Sequence, residues 1–329
     1  MKSTRKGFVD VQNNGWMGAD FTSAGLTLQQ VRDITLDLIA RGTLAYCPTV
    51  ITGDPAVYKD NLRVLAEAMK DPLIGPHLLG IHLEGPFIST EPGAVGAHSK
   101  KFVQSPNVQA FRQYQEWAGG GIRILTLAPE LPGAEELIRY ASGAGVVVSI
   151  GHHMASDEAM ARAVQAGASL CTHVGNGCPN MMHRHDNPLW WQLSCDEVSG
   201  LFITDGHHLP DDLIKVALRA KTPERFIVTS DASALAGMPP GRYSIFNGLP
   251  VVVGENGKIY SETSQSLAGS HSTLLECMNH LAGLSLLDEK GLWQVGHDNP
   301  ARLLKLNPND LSTLKGPDVC FEDGRFVVH

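Results

Sequence analysis

Eight short apolar, β-prone runs, each followed by a helix-patterned stretch, constrain this chain more than any other feature. They are Gly7 to Val11, Gly42 to Cys47, Leu78 to Leu83, Ile122 to Leu127, Val146 to Ile150, Ala168 to Cys171, Gly200 to Thr204 and Phe226 to Thr229. Helical signals fill the gaps. Thr27 caps a stretch to about Arg41 with Leu28, Val31, Ile34 and Leu38 at helical spacing, and Asp54-Pro55 opens a second helix. Further helices are expected over Val108 to Trp117, Gly133 to Ser142, after the cap Ser156, near Leu189 to Leu193 and from Pro210 to about Ala220. Continuous apolar runs that alternate with helices are strands of a parallel sheet covered on both faces, and eight of them predict a (β/α)8 barrel. An open doubly wound sheet is the alternative. It would be marked by a Gly-rich phosphate turn after the first strand, whereas this chain has QNNGWMG from Gln12 to Gly18.

At 329 residues one barrel accounts for the chain. The expected division is a barrel over residues 1–308 and a short β tail over 309–329. The barrel includes a β excursion at about 240–262 that turns at Glu255-Asn256-Gly257, and the tail turns around Glu322-Asp323-Gly324. A net charge of −8 with no basic run argues against nucleic acid or an anionic membrane as partner. The start, MKSTRKGFVD, lacks the apolar core of a signal peptide, and no run reaches membrane-spanning length. Six cysteines without a CxxC are expected as free thiols in a reducing cytoplasm.

In a barrel, the C-terminal strand ends meet at one mouth, where catalytic groups gather. Here those ends carry Gln12 and Asn14, Glu84, His152, His173, His208 and Asp231. One carboxylate and two imidazoles, Glu84, His152 and His173, suit a single divalent cation, Zn²⁺ before others. Three protein ligands leave a position for water, which makes such a site catalytic rather than structural. Asp231 is placed to accept that water's proton and return it to a leaving group. His153 follows His152 directly, and His152 is preferred because it comes first after the strand.

The segments HLEGPFIS (His82 to Ser89), GAH (Gly96 to His98), IGHH (Ile150 to His153), TH with NG (Thr172 to Gly177), DGHHL (Asp205 to Leu209) and SDA (Ser230 to Ala232) carry a resemblance. The chain resembles the N-acetylglucosamine-6-phosphate deacetylases of the amidohydrolase superfamily over about residues 7 to 306. The resemblance implies one catalytic metal on Glu84, His152 and His173, with Asp231 as general base and acid. It also implies a substrate, an N-acetyl amino sugar phosphate, faced by His98, Asn176, Gly177 and His208, and it suggests a homodimer. Gln12 and Asn14 stand where other amidohydrolases carry an HxH pair, a vestigial second-metal position. The family usually adds a small β domain, expected here to be reduced or missing. The loop VGNGCPNMMHRHDNP after His173 departs from the family pattern, and Arg184 is its best candidate for holding the 6-phosphate. That departure keeps open a substrate that is another small amide, cyclic amide or lactone without phosphate. A non-catalytic sugar-binding protein is the remaining reading, and the complete ligand set with Asp231 disfavours it.

Overall fold

The fold is described from a computed structural model over residues 4–245, 248–262 and 267–329. Its centre is a sheet of eight parallel strands in sequential order. They are β1 (Phe8–Asn13), β2 (Thr43–Ile51), β3 (Ile81–Glu84), β4 (Ile122–Leu127), β5 (Val147–Ile150), β6 (Ala168–Cys171), β7 (Ser199–Phe202) and β8 (Phe226–Val228). The ring closes where β8 meets β1. A bridge joins Asn13 to Ala232, the Asp231 N–H donates to the Gln12 carbonyl at 3.0 Å, and the buried Asp10 carboxylate accepts from the Thr229 hydroxyl at 2.7 Å. The expected (β/α)8 barrel is the observed one.

Local chemistry sets the helices. Thr27 and Gln30 form a capping box before α1 (Leu28–Ala40), so the backbone N–H groups at its start are satisfied by side chains. Asp54 caps α2 (Pro55–Ala68), with proline at the first helical position where no N–H is needed. Asn107 caps α3 (Val108–Trp117), and Ser156 caps α5 (Asp157–Ala166), whose first turn holds Asp157 and Glu158. The remaining outer helices are α4 (Ala134–Gly143), α6 (Pro188–Ser194), α7 (Asp211–Arg225) and α8 (Leu274–Gly283). Among the described residues no helix is long and apolar enough to cross a membrane.

One strand boundary differs from the expected one: the run Gly42 to Cys47 continues through Pro48 to Ile51 in β2. Pro48 pairs with Asn13 across an irregular step in register, and a proline that donates no hydrogen bond is tolerated at such a step. The small β domain, expected to be reduced or missing, is present as one three-stranded sheet. Thr4–Arg5 pairs antiparallel with Val319–Glu322, which forms a hairpin with Arg325–Val328. The β excursion forms a separate three-stranded sheet from Gly241–Ile245, Leu249–Val253 and Ile259–Tyr260, while positions 246 and 247 of it lie outside the described residues.

The hairpin is bound to the barrel by an aromatic cluster. Phe8 of β1 stacks on Trp293 with ring centroids 4.7 Å apart, and Phe326 meets both rings edge-on at 4.8 and 4.9 Å. All three are buried. Phe326→Ala should therefore cost about 3 kcal/mol of folding stability, as large-to-small changes in aromatic cores do. Urea unfolding followed by circular dichroism measures it, and a loss under about 1 kcal/mol would show that the hairpin is not part of the cooperative fold.

Candidate active site

Each strand end that carries a candidate residue delivers it in a way its local backbone explains. Glu84 is the last residue of β3, and Gly85-Pro86 ends the strand there. His152, His173 and Asp231 all adopt left-handed backbone angles, with φ of 53°, 27° and 47°. L-residues avoid this region at a cost of roughly 1–2 kcal/mol, and its recurrence at three strand ends turns each chain sharply over the barrel mouth.

Three candidate ligand atoms converge there. His152 Nε2 and His173 Nε2 each lie 3.0 Å from Glu84 Oε1 and 3.0 Å from each other. Three N and O atoms this close together, with edges of 3.0 Å, match the donor set and the spacing that one small divalent cation needs from its ligands. The proton count fits a cation too. His152 Nδ1 faces the Ala94 carbonyl at 2.8 Å, an acceptor only, so its hydrogen is on Nδ1 and Nε2 offers a lone pair. A carboxylate oxygen and an imidazole lone pair facing each other in a buried pocket call for a positive charge between them. Burial works against Glu84 ionisation, but the two imidazoles that face it, His152 and His173, hold its carboxyl well below the usual range. His173 is raised, because Glu84 outweighs the effect of burial. The Glu/His cluster is thus a possible divalent-metal site.

His98 also brings a ring nitrogen within 4.8 Å of Glu84 and His152. It does not belong to the tight triangle. Its Nδ1 accepts from the Thr52 hydroxyl at 2.8 Å, and burial, then the charge of His152, lowers it to about 3, so it stays neutral. His153 is set apart entirely. It turns away to the Gln192 amide at 2.8 Å, accepts the Ala155 N–H on Nδ1, and is lowered by burial to about 3.

Asp231 stands beside the triangle. Burial of its carboxyl and the negative Glu84 push it up to about 6, while His173, His208 and an Asn14 hydrogen bond pull the other way. His208 is oriented by Asp205, whose Oδ2 accepts from His208 Nδ1 at 2.8 Å and from Ser270 at 2.7 Å. Asp205 Oδ1 takes the backbone N–H groups of His207 and His208. The remaining ring nitrogen of His208, Nε2, is left for the cavity. Beneath the site, His82, Thr126, Thr172 and Ser149 form a continuous hydrogen-bonded layer at 2.6 to 2.7 Å.

All of this opens into a cavity of about 720 Å³. Asn14, Glu84, His98, His152, His173, Asn176, Gly177, His208 and Asp231 line it. Asn176 Nδ2 is buried there with no partner among the described residues, a spare donor. Gly177 does more than border the cavity. A Cβ at this position would come 2.9 Å from His173 Cε1 and 3.1 Å from His152 Nδ1.

Arg184 is not brought to the cavity. It is exposed on the loop before α6, is absent from the lining, and its carbonyl accepts from Trp190 Nε1 at 2.8 Å. No Lys or Arg among the described residues lines the cavity. Sequence reasoning passed over Asp205 and Thr52, which aim His208 and His98. Asp205 lay inside the DGHHL motif, whereas Thr52 follows a strand with nothing in its neighbourhood to single it out.

An eight-stranded barrel whose mouth holds a carboxylate, two imidazoles and a separate aspartate defines the amidohydrolase class of hydrolases. No family model matches the chain. It is 31% identical to the N-acetylglucosamine-6-phosphate deacetylase of Danio rerio over 325 residues, 96% of this chain and 78% of that protein. It is also 31% identical to the deacetylase of that name from Bacillus subtilis (strain 168), over 95% of this chain and 78% of the relative. The crystal structure of N-acetyl-D-glucosamine-6-phosphate deacetylase from Mycobacterium smegmatis superposes with a TM-score of 0.88 at 25% identity, covering 100% of this chain and 85% of that one. The chain belongs to the N-acetylglucosamine-6-phosphate deacetylase family.

Proposed function

We infer that this protein removes the N-acetyl group from N-acetylglucosamine 6-phosphate by metal-assisted hydrolysis. The observation that carries the reading is the triangle of Glu84, His152 and His173 beside Asp231, in a chain that keeps 31% identity to curated deacetylases over nearly its whole length. Glu84, His152 and His173 would hold one divalent ion, with Zn²⁺ favoured by the two-imidazole, one-carboxylate donor set. Such an ion supplies Lewis acidity and brings the pKa of a water down towards about 7.

The chain's own groups do the rest. Asp231 accepts a proton from the attacking water, and the water oxygen adds to the acetamide carbon. As the C–N bond breaks, the same proton passes from Asp231 to the amine nitrogen, which is too basic to leave unprotonated. A carboxyl near 6 is ionised at neutral pH yet close enough to return the proton. His208, held by Asp205, and the free amide donor of Asn176 orient the sugar and its acetamide oxygen, and His98 contributes a neutral ring beside His152.

Acetate release from N-acetylglucosamine 6-phosphate and from unphosphorylated N-acetylglucosamine tests the reading, with elemental analysis of the same preparation. Release from the phosphorylated sugar, lost on chelation and restored by Zn²⁺, is the expected result. Equal rates before and after complete metal removal would refute it. A second reading, a neutral amide substrate, draws on the cavity's lack of Lys and Arg, and preference for the unphosphorylated sugar would favour it. The homodimer and the cytoplasmic location belong to the proposal as well. Met181 on the loop that reaches the cavity rim and Trp190 in α6, 89% and 52% exposed, support a contact surface, and six free cysteines support a reducing compartment.

A further inference from the structure

Gln12 and Asn14, the two amides around the end of β1, both point at one oxygen. Gln12 Nε2 donates to Asp231 Oδ1 at 3.0 Å, and Asn14 Nδ2 donates to the same atom at 2.8 Å. The carboxylate accepts only, so the nitrogens, not the oxygens, of both amides must face it. The arrangement has a cost. The amide oxygens Gln12 Oε1 and Asn14 Oδ1 are buried without a partner among the described residues, which folded proteins rarely allow. Backbone bonds lock the geometry. The Asp231 N–H donates to the Gln12 carbonyl and the Asn14 N–H to the Ala232 carbonyl, at 3.0 and 2.8 Å. The amides are therefore tied to the residue they grip, at a point where its own backbone is left-handed.

We propose that Gln12 and Asn14 are positioning residues that clamp Asp231 by Oδ1, so that Oδ2 alone exchanges protons during hydrolysis. Two donors fill the lone pairs of Oδ1, and Oδ2 is the only carboxylate oxygen open to a proton. In the step, a water O–H bond breaks and its proton goes to Oδ2, while the water oxygen bonds to the acetamide carbon. The proton leaves Oδ2 for nitrogen as the C–N bond breaks, which returns the Asp231 carboxylate and yields the amine and acetic acid, whose remaining proton is lost to solvent as acetate forms. The clamp prevents the carboxylate from rotating between the two transfers. This rests on Asp231 as the proton carrier.

Gln12→Met keeps the volume without the donor, and Asn14→Ala truncates a side chain at the cavity wall while leaving its backbone bond to Ala232. Each is expected to lower kcat for N-acetylglucosamine 6-phosphate about tenfold or more, the scale of one lost hydrogen bond to a charged group. KM and bound metal per chain should stay at parental values. A rise in KM with kcat held would make the amides substrate ligands, a parallel loss of metal would make them part of the metal site, and unchanged kcat in the double variant would remove the role. Each of these overturns the clamp. Asp231→Asn separates it from its premise. If that variant is inactive while the double variant matches the parent, the clamp fails and the proton carrier stands. If Asp231→Asn is fully active, the premise itself fails.

Discussion

Asp231→Asn is expected to lower kcat for deacetylation by about a thousandfold, with metal content and melting temperature unchanged. The magnitude is that of losing a placed acid–base group, typically 10²–10⁴ in rate. The amide can neither take a proton from water nor hand one to the departing amine. The fold has little reason to object. Asn matches the volume of Asp, and its backbone bonds to Gln12 and Ser270 involve no side-chain atom. One local conflict arises, since the donors of Gln12 and Asn14 then face an amide, which satisfies them by turning its oxygen towards them. Steady-state kinetics with elemental analysis of the same sample decides the matter. A kcat within threefold of the parent would remove Asp231 from the chemistry.

Gly177→Ala is expected to weaken metal binding between tenfold and a hundredfold, the range seen when groups that orient metal ligands are disturbed. Two effects combine. The residue sits at φ 60°, where an L side chain is strained, and its new Cβ would press on both imidazoles at 2.9 and 3.1 Å. The His152 ring has no room to yield, because it is held by Ala94 on one side and by the 3.0 Å triangle on the other. Activity should fall at limiting metal and recover in part when Zn²⁺ is raised. Competition against a chromogenic chelator measures the affinity. A variant that binds Zn²⁺ as tightly as the parent would show that the imidazoles move freely, contrary to the packing.

The architecture was legible because it rests on local rules. Apolar runs ended by Gly, Pro or Asp marked the strands, and Thr27, Asp54 and Ser156 marked helix starts through the same hydrogen bonds the fold contains. Pro48 misled for the same reason. A proline ends a strand by local rules, and only the irregular register beside Asn13 makes room for it. The choice of His152 over its neighbour followed from order along the chain. The physical reason is the left-handed turn at His152, which sends one ring to the mouth and the other to Gln192.

By itself, the sequence determined which residue types stand at the ends of the eight strands, and so the kind of chemistry the mouth can hold. Only the tertiary structure decided how those residues divide the work. Gln12 and Asn14 meet Asp231 across more than two hundred residues, Asp205 aims His208, Gly177 backs two imidazoles, and Arg184 stays in solvent. Side-chain periodicity and capping act over a few residues and are written in local order. Convergence of three ligand atoms to 3.0 Å depends on barrel closure and on strained turns that no local pattern encodes.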